Sequence, residues 1–220
     1  MSFQVLSFGN LQSDTLLVQM VDDHDLEGIE REFALIRELS GREDLCLKAV
    51  RVNSWYRDLS PWPAPAVFGN EDFGDGAEDT LAFLLKEVTG EPSGPTRSGV
   101  KKIYIGGYSL AGLFALWAGY RTDCFAGIAA ASPSVWFPGF TDYMKEGEIR
   151  AGSVYLSLGD REGKTRNAVM AKVGERIRDA YEVLQSAGVN CVLEWNEGNH
   201  FREPDVRTAK AFAWVLRSDG

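Results

Sequence analysis

Gly107-Tyr108-Ser109-Leu110-Ala111-Gly112 sets a serine between an apolar run ending at Ile105 and a helix-like apolar pattern starting at Leu110. A sharp strand–turn–helix elbow lifts such a serine Oγ clear of the sheet edge, and its flanking positions must be tiny because the turn crowds its own backbone. Gly107 and Ala111 are both tiny. A serine hydroxyl is a weak nucleophile until a base takes its proton. The chain has two histidines, and one, His200, lies in Glu197-Gly198-Asn199-His200-Phe201, between a late apolar run and the last helical segment. Such a loop could carry an imidazole over Ser109, a pairing suited to acyl transfer through a covalent serine ester. The plainer role for Ser109 is to cap the following helix through its hydroxyl.

An imidazole base needs a carboxylate to hold its tautomer and to stabilise the imidazolium. The apolar run Val154–Leu158 leads into Gly159-Asp160-Arg161-Glu162-Gly163. Gly-x-x-acid spacing favours Glu162, and Asp160 competes because it is nearer the strand end. Either could instead be a solvated turn residue or a partner of Arg161 or Arg166. An oxyanion would be met by the N–H of Leu110, the residue after the serine, and by a second N–H from the turn after an early strand. That turn is Asp22-Asp23-His24-Asp25, so Asp23 would have to offer its backbone while its carboxylate faces water. Contiguous residues rarely wrap one ion without a defined loop, so no metal is expected here, and Asp25 is expected to cap the next helix.

The elements that must position these groups alternate along the chain. Strands are expected at Phe3–Phe8, Leu16–Val21, Leu45–Val52, Val100–Ile105, Phe125–Ala131, Val154–Leu158 and Cys191–Trp195. Helices are expected at Leu26–Leu39, Ala77–Val88, Leu110–Tyr120, Asn167–Ala187 and Pro204–Leu216. Glu91–Gly99 reads as a surface connection. This alternation predicts an α/β fold: a mostly parallel central sheet with helices on both faces, in one domain over residues 1–220. Ligands then bind beyond the carboxyl ends of the strands, where Ser109, the Asp160/Glu162 turn and His200 would all lie. The chain order Ser…acid…His is that of the α/β-hydrolases. The long loop Asn53–Gly76 holds Trp55, Tyr56, Trp62, Phe68 and Phe73. Trp55 and Trp62 could wall an apolar substrate pocket or merely cover the sheet edge, and Trp136 poses the same choice.

Composition narrows the partners. With 23 basic against 32 acidic residues, the net charge of −9 argues against nucleic acid or anionic lipid as the main partner. No stretch approaches the ~18 apolar residues of a membrane span. The opening Met1-Ser2-Phe3-Gln4-Val5 lacks a basic region followed by an apolar core, and Cys46, Cys124 and Cys191 show no zinc-like spacing. The expectation is a cytoplasmic protein with reduced thiols.

With these residues in view, the chain resembles the esterase D-like branch of the α/β-hydrolases from about Leu16 to Leu216. Gly-Gly-Tyr-Ser109-Leu-Ala-Gly-Leu, Leu-Gly159-Asp-Arg-Glu162 and Glu-Gly-Asn-His200-Phe carry the resemblance. Ala-Ser132-Pro-Ser-Val-Trp136 is similar to a segment of the siderophore trilactone esterases of that branch. The resemblance implies hydrolysis of carboxylic esters or thioesters of small soluble substrates through an acyl-serine, with no cofactor and a minimal lid. An acyltransferase with the same residues, or a non-catalytic binding protein on the same scaffold, are the alternatives.

Overall fold

The computed structural model describes residues 2–89 and 102–218. In chain order the elements are β1 (Gln4–Gly9), β2 (Thr15–Val21), α1 (Asp23–Ser40), β3 (Cys46–Arg51), α2 (Trp55–Asp58), α3 (Ala77–Phe83), β4 (Lys102–Tyr108), α4 (Ser109–Arg121), β5 (Gly127–Ala131), α5 (Phe140–Glu146), β6 (Ser153–Gly159), α6 (Val173–Ser186), β7 (Asn190–Asn196) and α7 (Pro204–Arg217). The strands form one sheet in the order β1-β3-β2-β4-β5-β6-β7. β1 runs antiparallel to β3, and the remaining pairs are parallel.

Parallel strands covered on both faces read as continuous apolar runs, and β2, β5 and β6 are buried along their whole lengths. The two-residue period of a strand sends neighbours into opposite cores. Leu17, Tyr104 and Tyr155 pack with α1 and α7 on one face; Leu16, Ile105 and Val154 pack with α3, α4 and α6 on the other. α4 is buried from Leu110 through Tyr120, as a helix with no polar stripe must be. Burying its Leu113, Phe114 and Leu116 side chains stabilises the fold by roughly 1.5–3 kcal/mol each.

Local departures from the expected elements have identifiable causes. Asp22, not Asp25, caps α1: its carboxylate accepts from Asp25 N–H at 2.9 Å, and Asp25 returns the bond to Asp22 N–H at 3.2 Å. The expected loop 53–76 contains the single turn α2. Ser54 caps it, and the buried Asp58 carboxylate pins its start by accepting from the N–H groups of Asn53 and Ser54 at 2.9 and 2.8 Å. The helix expected from Asn167 begins instead with an Asx turn, in which Asn167 Oδ1 takes the N–H groups of Val169 and Met170; this side-chain competition delays α6. The helix from Ala77 changes to π-type winding over Leu84–Thr89. α5 was not anticipated. The surface connection Glu91–Gly99 and the first residues of the expected Val100–Ile105 strand lie outside the described residues. Among the described residues, no helix is long and apolar enough to cross a membrane.

Candidate active site

β4 delivers Ser109 at the carboxyl end of the sheet, in a left-handed conformation with φ 56°. For a residue with a Cβ this costs on the order of 1–2 kcal/mol, and the surrounding bonds must hold it. Ser134 N–H donates to Ser109 O at 3.0 Å. A Cβ on Gly107 would stand 2.7 Å from the Ala111 Cβ, which explains the tiny residues on both sides of the elbow. Ser109 does not cap α4. No side chain does, leaving the first-turn N–H groups without a capping acceptor.

The serine hydroxyl turns instead to the histidine. Ser109 Oγ lies 3.0 Å from His200 Nε2, and His200 Nδ1 lies 2.7 Å from Glu162 Oε2. The second oxygen of Glu162 accepts from Gly159 N–H at 2.7 Å, from Ser132 Oγ at 2.9 Å and from Arg207 Nη1 at 3.1 Å. Burial would raise the Glu162 carboxyl. The hydrogen bond and charge of His200, helped by Gly159 N–H and the Ser132 hydroxyl, outweigh it and hold the carboxyl below its ordinary value. Glu162 is therefore a carboxylate at neutral pH. Gly159 lets it come this close: a Cβ there would meet Glu162 Oε1 at 2.9 Å.

Of the two acids left open by the sequence, Glu162 meets the imidazole and Asp160 does not. Asp160 Oδ1 accepts from Gly198 N–H at 2.7 Å, tying the turn after β6 to the histidine loop. Two further side chains hold that loop. The Tyr108 hydroxyl donates to His200 O at 2.7 Å, and Arg207 Nη2 donates to Glu197 O at 3.0 Å. Arg207 Nη1 also donates to the Tyr108 oxygen at 3.1 Å. Burial, followed by the charge of Glu162, pushes the Tyr108 hydroxyl up to about 12, so it remains a donor.

Sequence reasoning missed Arg207, Ser132 as a carboxylate ligand, Tyr108 as a loop anchor, and Ser134, whose Oγ lies 3.4 Å from Ser109 Oγ. For Arg207 a signal existed. It shares a helical stripe with Ala211 and Val215, and a cation on an otherwise apolar stripe implies a buried partner. Ser132, with φ 41°, carried no such signal, because its position depends on the bend after β5.

A cavity of about 460 Å³ opens over Ser109 and His200, walled by Trp55, Tyr56, Phe68, Phe73, Trp136 and Phe201, with Arg161 and Lys164 also lining it. Leu110 lines it too. Trp55 and Trp136 thus line the same cavity as the serine, one of the two placements the sequence left open. Trp62 is not: it packs on Phe137 and Phe140, and its Nε1 donates to Pro138 O at 2.9 Å. Asp23 does not line the cavity either. Asp22 starts α1 directly after β2 and sends the chain toward the α1/α7 face, while the Asp23 carboxylate faces water against Arg51. The segment that reaches over the serine comes from after β3, through Trp55 and Tyr56. Among the described residues, no group of three or more His, Cys, Asp or Glu side chains is placed to hold a metal ion.

No family model and no curated protein sequence matches the chain. Solved structures do. An IroE-like serine hydrolase from Shewanella oneidensis superimposes with a TM-score of 0.74 at 14% identity, over 98% of this chain and 80% of its own. The two chains share one fold. The siderophore hydrolase EstA from Aspergillus nidulans superimposes with a TM-score of 0.70 at 19% identity, covering 95% of this chain and 84% of its own. The enterobactin esterase FES from Shigella flexneri matches with a TM-score of 0.66 at 13% identity, over 98% of this chain but 56% of its own. Identities this low establish the shared α/β architecture, and the chemistry must be argued from the side chains above.

Proposed function

We propose that this chain is a serine esterase that hydrolyses carboxylic esters or thioesters of small substrates through an acyl-serine. The observation that carries the reading is the unbroken line Ser109 Oγ–His200–Glu162, with heavy-atom separations of 3.0 and 2.7 Å, at the floor of an aromatic-walled cavity. His200 Nε2 takes the Ser109 proton as Oγ attacks the acyl carbon, and Glu162 keeps the Nδ1 proton in place and stabilises the imidazolium. Leu110 N–H, at the start of α4, meets the oxyanion where the helix dipole also favours negative charge. His200 then protonates the leaving alcohol or thiol. In the second half it takes a proton from water, which attacks the acyl carbon and frees Ser109. The apolar walls suit an acyl or aryl group rather than a free anion.

The structural neighbours named as siderophore hydrolases and an enterobactin esterase make macrocyclic and aryl esters sensible first substrates, beside short-chain esters. The test is covalent labelling by a fluorophosphonate, with the adduct mapped by mass spectrometry, alongside turnover of those esters. Ser109 should carry the label, and Ser109→Ala should fold normally while losing roughly 10³-fold or more in turnover. An unlabelled Ser109, or undiminished hydrolysis by Ser109→Ala, would overturn the assignment.

A further inference from the structure

A second cavity, of about 280 Å³, lies on the α1/α7 side of the sheet. Gln19, Asp25, Glu32 and Asp205 line it, with Gly28 and Tyr108. Its walls are unusual for the interior they occupy. Gln19 interrupts the otherwise apolar β2 and is 2% exposed; Glu32, on α1, is 5% exposed. Gln19 Oε1 and Glu32 Oε1 are both buried without a hydrogen-bond partner. A buried acceptor left unpaired costs about 1–3 kcal/mol. Burial drives the Glu32 carboxyl well above its ordinary value; a hydrogen bond from Gln19 opposes this and the charges of Asp25 and Asp205 add to it, so Glu32 is a neutral acid at neutral pH. One cation, Arg31, pairs with Asp205, and His24 and Glu27 line the solvent side of the cavity, largely exposed. Two buried oxygens without partners, Gln19 Oε1 and Glu32 Oε1, thus line a cavity beside the Asp25 and Asp205 carboxylates.

We propose that this cavity binds a small organic cation bearing N–H donors, a primary ammonium or a guanidinium. The Asp25 and Asp205 carboxylates supply the countercharge, Glu32 gives up its proton to solvent as the cation binds, and the Gln19 and Glu32 oxygens accept the N–H groups of the cation. A metal ion does not fit the same walls, because the carboxylates do not converge as ligands. Gly28 makes room: it lies inside α1, where glycine costs about 1 kcal/mol relative to alanine, and a Cβ there would find only the Asp205 Cβ, at 3.9 Å. This site is independent of the ester chemistry assigned to Ser109, although Tyr108, which lines it, also donates to His200 O.

The test is calorimetric titration of the full chain with ethylammonium and, separately, methylguanidinium, with tetramethylammonium and magnesium as controls. One or both N–H cations should bind saturably with a dissociation constant of about 1 mM or tighter, and the two arms separate amine from guanidine ligands. Tetramethylammonium has the charge but no N–H and should not bind; magnesium should not bind. Glu32→Gln keeps the shape but cannot ionise against the bound cation, and should weaken binding about tenfold or more. Gly28→Leu fills the space and should abolish it, which keeps the test decisive if Glu32→Gln misfolds. Absence of saturable binding by both N–H cations, equal binding of either control, or unchanged affinity in a folded variant would overturn the proposal.

Discussion

Arg207 Nη1 stands 3.1 Å from Glu162 Oε1, the carboxylate oxygen that His200 leaves unused. Both side chains are almost fully buried, so the imidazole shares its carboxylate with a permanent cation. That cation holds the carboxylate in place beside the imidazole by a charge-assisted hydrogen bond to its second oxygen. Replacing Arg207 by Met should therefore lower kcat by about 10–100-fold as the histidine loop loosens. Arg207→Lys keeps the charge but not the planar fork, and should restore the rate only in part. An unchanged kcat in a folded Arg207→Met protein would show that the arginine acts only as packing. Breaking this buried pair should also cost stability, on the order of 3 kcal/mol, measurable by denaturant unfolding.

The two acids of the turn after β6 should separate in kinetics. Glu162→Gln removes the carboxylate that meets His200 Nδ1 and should reduce kcat by about 10²–10⁴-fold with little change in KM. Asp160→Asn preserves an oxygen that can accept from Gly198 N–H, and its effect should stay below about tenfold. Steady-state kinetics on a single ester substrate decides between them. The reverse ranking would assign the acid to Asp160.

Phe201 lines the cavity over Ser109 yet is 85% exposed. A large apolar side chain left in water at a cavity mouth gains most when a substrate covers it. Phe201→Ala should leave the unfolding midpoint within about 0.5 kcal/mol of the parent. It should raise KM for an aryl ester several-fold while leaving KM for an acetyl ester nearly unchanged. Equal effects on the two substrates would remove Phe201 from aryl recognition.

Burial, and then the charge of Asp22, push the Asp25 carboxyl up from 3.8 to about 6. The folded protein therefore holds this proton more tightly than the unfolded chain does. The resulting stability is fully present below about pH 4 and is lost as pH rises through about 6. Asp25→Asn carries no charge at either pH and keeps an acceptor for Asp22 N–H. It should be more stable than the parent near pH 8 by on the order of 1–2 kcal/mol, with the difference vanishing near pH 4. Denaturant unfolding at the two pH values measures this directly.

Much of this architecture was legible locally. Strand and helix periods reflect which face of each element is buried, so the alternation of apolar runs set out the parallel sheet and its helices. Tiny residues around Ser109 mark a turn that crowds itself, and a chain with two histidines offers few bases. What the sequence could not decide is where turns aim their side chains. Asp160 and Glu162 are two residues apart, and only the fold of the turn after β6 sends one to the imidazole and the other to Gly198 N–H. Arg207 and Ser132 reach Glu162 from α7 and from the bend after β5, distant in sequence and joined by no shared period. The same holds for the segment over the serine: the capping of α1 by Asp22 withdraws the turn after β2, and the loop after β3 takes its place. Periodicity is a property of neighbours along the chain. Hydrogen bonds among buried groups are settled only when separate elements close around them.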